Sequence, residues 1–253
     1  MFDISICIPT AKEAFSSVKS TIRGLDWYIN NGRANRLEYY QKLNHPLLNQ
    51  MIEERHLPED EFTKKYIIPF TQELYNKKMY EPYVQKIQEV LPVVQSCYDK
   101  LKKLHTSWGF EILPEYHIDL VAYSVGGKYF RDSQNIGHVV LGFGNQWKDK
   151  SALAHIIVHE MIHLGIEDLI INPHQAKNPP VQQEEKERIV DNLCNYVTKD
   201  ILPDYKRKWK DGTCSRFQEV ASHCDYMDKV VGNQPQNNLV QAVQRFLKEQ
   251  GRA

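Results

Sequence analysis

The segment from Ser151 to Leu164 constrains this chain more than any other, because it is apolar on nearly every side. Leu153, Ile156, Ile157, Val158, Met161, Ile162 and Leu164 surround a polar trio, His159, Glu160 and His163. No Gly or Pro interrupts the run, so it predicts one helix, with Ser151 as its N-cap. A helix that is apolar all round is buried. The rest of the chain must therefore wrap it, and this polar trio needs partners inside, since unpartnered burial is costly.

A metal ion supplies those partners. Residues four apart lie on one helix face, one turn apart, so His159 and His163 can reach the same ion, as in the pattern His-Glu-x-x-His. Zinc accepts neutral imidazole nitrogen at about 2.0–2.1 Å, and catalytic zinc keeps one position open for water. Glu160 projects from the flank of the same face, where it can take a proton from that water. A chance match on a surface helix is the competing reading, and the apolar surroundings argue against it.

The third ligand must come from another element. Glu167 lies eight residues past His159, about 12 Å along a straight helix at ~1.5 Å per residue, too far to share its ion. His155 fails for the same reason if His159 and His163 both bind, and reads as a packed or supporting histidine. Ile166 and Leu169 stand where the longer pattern His-Glu-x-x-His-x-x-Gly-x-x-His has its Gly and last His. A second helix is predicted from about Val181 to Ile201, before Pro203. Its apolar stripe is Val190, Leu193, Cys194, Val197 and Ile201. Glu185 points away from that stripe, whereas Glu187 and Asp191 lie together at its edge. An acidic pair there is compensated if Glu187 ligates the ion and Asp191 accepts the other N–H of a ligating imidazole. The alternative is a solvated helix start, since Glu184, Glu185 and Lys186 are its neighbours.

His159-Glu160-x-x-His163 followed by Glu187-x-x-x-Asp191 resembles the gluzincin clan of zinc metallopeptidases, the thermolysin-like group, over roughly residues 115–200. The resemblance implies an active-site helix beneath a small twisted sheet, with the Glu-x-x-x-Asp helix behind it. It also implies an edge strand along which extended peptides bind, here within His138 to Phe143. The Gly-x-Met-x-Asn strand of aminopeptidase-type members is missing, so recognition of a free N-terminus is not implied. The clan's oxyanion-steadying His or Tyr has no placed counterpart; His223 and Tyr226 are candidates by position alone, and a structural role is the stronger reading for each. The function expected is hydrolysis of peptide or protein substrates, with zinc as cofactor and Glu160 as general base. The alternative is a zincin-like regulatory or interaction module that holds zinc without turnover. A deformylase would bring a Cys ligand in a Gly-Cys-Leu setting, which this sequence lacks.

The fold class expected is α+β: a zincin-like catalytic domain over 106–253 and a mainly helical N-terminal subdomain over 1–105. From Thr10 to Leu104 apolar residues recur at helical spacing, as at Leu37, Tyr40 and Leu43 or at Val84, Ile87, Leu91 and Val94. Pro46, Pro58, Pro69, Pro82 and Pro92 are expected to divide this region into several helices. Strands are expected at His117–Ser124, Tyr129–Phe130 and His138–Phe143, and a last amphipathic helix over 239–246.

Charge and cysteine usage exclude several other tasks. Lys plus Arg and Asp plus Glu both number 32, giving no electrostatic case for nucleic acid or an anionic membrane. Lys206, Arg207 and Lys208 read as a solvated helix end. The five cysteines are scattered without a Cys-x-x-Cys pair, unlike a disulfide framework, although Cys214 and Cys224 are spaced to pair in an oxidising compartment. The start of the sequence has Asp3 where a signal peptide is basic, and no run approaches ~20 apolar residues, so a cytoplasmic protein is expected.

Overall fold

The computed structural model describes residues 3–30, 35–108, 111–123, 127–143, 147, 149–170, 183–198, 200–202, 248 and 251. Four strands form one mixed sheet: β1 (Asp3–Cys7), β2 (Glu115–Val121), β3 (Gly127–Arg131) and β4 (Gly137–Gly142), in the order β1-β2-β4-β3. β2 is parallel to both β1 and β4, while β3 returns antiparallel to β4. The architecture is a mixed α/β fold, mostly helical. Among the described residues no helix is long and apolar enough to cross a membrane.

Strand alternation sets the two faces of the sheet. Tyr116, Ile118 and Leu120 of β2 and Val139 and Leu141 of β4 are buried on the inner face. His117, Asp119 and His138 lie on the other, where His138 Nδ1 is 2.7 Å from an Asp119 carboxylate oxygen. The inner face receives α7 (Lys150–Ile170), which packs against β3, β4, α6 (Glu81–Trp108) and α8 (Gln183–Thr198). Between Leu153 and Ile166 every residue of α7 except Ile156 is buried, as a helix apolar all round requires. Its N-cap is Asp149 rather than Ser151. The Asp149 carboxylate accepts the Ser151 N–H at 2.8 Å, satisfying a first-turn donor that a cap at 151 would have left open.

The connection from β1 to β2 holds α1 (Ala11–Arg23), α2 (Leu25–Asn30), α3 (Asn35–Leu43), α4 (Pro46–Glu53), α5 (Glu59–Pro69), a π turn (Phe70–Leu74) and α6. Thr10 and Glu13 cap α1 reciprocally in a capping box. Pro46 and Pro58 open helices as expected, but Pro92 does not end one, for α6 runs through it. Ile87, Val90, Val94, Cys97 and Leu101 are all buried along α6, and this packing offsets the backbone bond that Pro92 removes. α1 to α5 and the π turn enclose one apolar cluster around Phe15, Tyr40, Phe62 and Phe70. β1 and the part of α6 from Ile87 to Leu101, although before residue 106, contribute instead to the cluster of the sheet, α7 and α8.

Tyr123 joins the two clusters. It follows β2 with φ 54°, in the left-handed region that costs a non-glycine residue about 1 kcal/mol or more. Two hydrogen bonds hold it there: its carbonyl accepts from the Tyr40 hydroxyl at 2.7 Å, and its own hydroxyl donates to the Leu74 carbonyl at 3.1 Å.

Candidate metal centre

The middle of α7 meets the start of α8 at three side chains. His159 Nε2 and His163 Nε2 are 3.1 Å apart, and each lies 3.4 Å from Glu187 Oε2. Donors about 2.0–2.1 Å from a tetrahedral zinc stand roughly 3.3–3.4 Å from one another, which the two separations to Glu187 match, while the two imidazole nitrogens lie slightly closer. His159 and His163 are buried, while the Glu187 side chain keeps 25% of its surface exposed. Two imidazoles and one carboxylate are a donor set that suits zinc and similar divalent ions. Among the described residues this is the one His/Cys/Asp/Glu group that could hold an ion.

The electrostatics favour the ligating forms. Burial pushes the His163 imidazole below its ordinary pKa of 6.5, which keeps a nitrogen lone pair available near neutral pH. Burial alone would raise the Glu187 pKa, but the two imidazoles facing it more than offset this and hold the carboxyl well below its usual range. Behind the ligands, Asp191 Oδ1 is 2.9 Å from His159 Nδ1, and Asp191 is itself only 2% exposed. Helix spacing explains this placement, because Glu187 and Asp191 lie one turn apart on the face of α8 turned to α7.

Glu160 is buried against the edge strand. Gly127 of β3 comes so close that a Cβ there would overlap Glu160 Oε1 and lie 2.9 Å from its carboxyl carbon. Two residues on, the Tyr129 ring stacks on His163, with centroids 4.4 Å apart and planes 8° apart. Two further on, Arg131 donates to the Leu164 carbonyl at 3.0 Å and forms a two-bonded pair with Glu111. One face of β3 thus runs along α7, and β3, not β4, is the sheet edge at the site. The strand expected along the cleft, His138 to Phe143, is interior: β4 pairs with β2 on one side and, through the turn at Asp132, with β3 on the other.

No family model, curated protein or solved structure matches this chain.

Four of the positions singled out by sequence, His159, His163, Glu187 and Asp191, come together, and the fifth, Glu160, follows His159 on α7 with its carboxylate against Gly127. His155 is buried one turn before His159 and stands apart from the three donors, its ring 6.4 Å from that of His159. His223, Tyr226, the cluster 206–208, Cys214, Cys224 and the helix expected over 239–246 lie outside the described residues. Three neighbours of the site were not foreseen. Gly127 reads in the sequence only as the end of a strand, and Tyr129 only as a strand former. Lys186 reads as part of a solvated helix start, yet it is 5% exposed, with Nζ donating to the Tyr129 hydroxyl at 2.8 Å.

Proposed function

We propose that this chain is a zinc-dependent peptidase with His159, His163 and Glu187 as metal ligands and Glu160 as general base. The observation that carries the reading is the donor triangle of 3.1, 3.4 and 3.4 Å, with a buried glutamate outside it that directly follows the ligand His159 on α7. A purely structural zinc has no use for such a base. The zincin-like form of the fold belongs to the same proposal, supported by α7 lying against the sheet, α8 behind α7 and β3 as the strand beside the site.

Zinc in this position would polarise a substrate carbonyl and bring the pKa of water down toward ~7. The chain's own groups do the rest. Glu160 takes a proton from the attacking water onto its carboxylate and passes it to the leaving amine nitrogen, so one group serves as base and then as acid. Asp191 accepts the Nδ1–H of His159, which fixes the tautomer with Nε2 free to ligate. Gly127 leaves room for the Glu160 carboxylate. An extended peptide laid beside β3 would pass next to that carboxylate, which fits a peptide or protein substrate.

The test is metal content by elemental analysis of protein purified without added metal, followed by hydrolysis of a mixed peptide library with and without a chelator. About one zinc per wild-type chain, its loss in Glu187→Ala, and chelator-sensitive hydrolysis are expected. No zinc in the wild type after reconstitution removes the proposal. Bound zinc without hydrolysis leaves a regulatory or interaction module.

A further inference from the structure

The two histidines of the metal centre are held in different ways. A ligating imidazole must have its ring plane fixed, because rotation about the bond to Cβ carries Nε2 off the ion, and a hydrogen bond at the other nitrogen usually does this. For His159 that bond runs to Asp191 at 2.9 Å. His163 Nδ1 is buried and has no hydrogen-bond partner among the described residues. Its plane is instead covered by Tyr129, nearly parallel at 8° and 4.4 Å away.

Tyr129 is itself fixed at both ends. Its backbone is in β3, opposite Val139 of β4. Its hydroxyl accepts from Lys186 Nζ at 2.8 Å, and the same ammonium lies 5.5 Å from the centre of the ring. Lys186 is buried and directly precedes the ligand Glu187 on α8. The path Lys186–Tyr129–His163 thus joins α8, the edge strand and α7 around the donors. Resting on the zinc reading above, we propose that Tyr129, anchored by Lys186, is the positioning residue for His163, a stacked ring in the role that Asp191 fills for His159.

The test uses the full chain, stripped of metal and titrated with zinc against a chromogenic chelator, with the visible spectrum of the cobalt(II) form as a second readout. Tyr129→Leu should bind zinc about 10–100-fold more weakly, the range for loss of a group that orients a ligand, and should alter the cobalt bands. Tyr129→Met, which fills similar space without a ring face, should do the same and stands in if the Leu variant does not fold. Tyr129→Phe keeps the ring face but loses the anchor at its hydroxyl, and should fall between wild type and the Leu variant, as should Lys186→Met, which removes the same anchor from the other side. Wild-type affinity and an unchanged cobalt spectrum in both the Leu and Met variants would overturn the proposal. So would a Phe variant as weak as the Leu variant. A wild-type chain that binds neither zinc nor cobalt would fail earlier, at the metal centre itself.

Discussion

Replacing Gly127 by Ala separates the position of Glu160 from everything else at the site. The added methyl meets the far end of the glutamate side chain rather than backbone. To reach ordinary contact the Glu160 carboxyl carbon must retreat from 2.9 Å to at least 3.4 Å, about half an ångström, and Oε1 must move farther. A side chain displaced from its rotamer costs about 0.5–1.5 kcal/mol. Gly127 does not occupy the left-handed region, so Ala also returns about 0.4–1 kcal/mol through the unfolded chain. The two nearly cancel, and Tm should move by no more than about 2–4 °C, the shift for roughly 1 kcal/mol in a chain of this size. His159, His163 and Glu187 are untouched, so zinc content should equal that of the wild type. Turnover should not, because a reacting group misplaced by about an ångström costs ~100-fold, within the ~100–10,000-fold that a general base supplies. The assay is peptide hydrolysis alongside elemental analysis and a thermal melt on the same sample. A folded, zinc-loaded Gly127→Ala chain with wild-type turnover would refute the placement of Glu160 as base. Loss of zinc with activity would show that the methyl acts through the ligands instead.

Glu160→Gln should keep zinc at wild-type stoichiometry and lose turnover by ~100-fold or more, and an active, zinc-loaded variant would rule out the base role. Asp191→Asn, nearly isosteric, should weaken zinc binding about 10–100-fold in the chelator competition, and an unchanged affinity would remove Asp191 from the support of His159. The metal-free protein should lose stability toward acid. His163 is held below 6.5 and Glu187 below 4.5, so in each case the unfolded chain binds more protons as pH falls. His163 adds nothing above pH 6.5 and destabilises the folded chain increasingly below it, whereas the stabilisation from Glu187 is present above 4.5 and is lost as pH falls below that. A melting temperature of the metal-free chain that rises as pH is lowered from 6.5 toward 4.5 would contradict the assignment for His163, and one that rises below 4.5 the assignment for Glu187.

The chemistry of this chain is legible in sequence where it depends on spacing within a helix. His159 with His163, and Glu187 with Asp191, are each four apart, and four residues is one turn wherever the helix lies. Burial of α7 follows from its apolar circumference. What could not be read is what depends on pairing between distant strands. Asp3 to Cys7 has the alternation of a strand, with Ile4 and Ile6 turned to the core, but its partner begins at Glu115. The order that puts β3 at the edge and β4 inside is set by the β2–β4 ladder, which no local pattern announces. Gly127, Tyr129 and Lys186 carry no motif and gain their meaning from touching Glu160, His163 and one another. Lys186 shows the limit well: flanked by Glu184, Glu185 and Glu187 it has the composition of a solvated turn, and packing beside β3 buries it.

The separation of β1 from β2 also sets a timetable for synthesis. Asp3 to Cys7 leaves the ribosome more than a hundred residues before Glu115 does. At about 5–20 residues per second the strand waits on the order of 5–20 s for its partner. Through that interval an unpaired strand is open to association with other chains. This one alternates Ile4 and Ile6 with Asp3 and Ser5, so it carries a charge and a hydroxyl on the face away from the future core. The helices α1 to α5 can meanwhile close around Phe15 and Phe62 without it. The nascent chain can thus assemble the helices α1 to α5 before β1 meets β2 in the sheet.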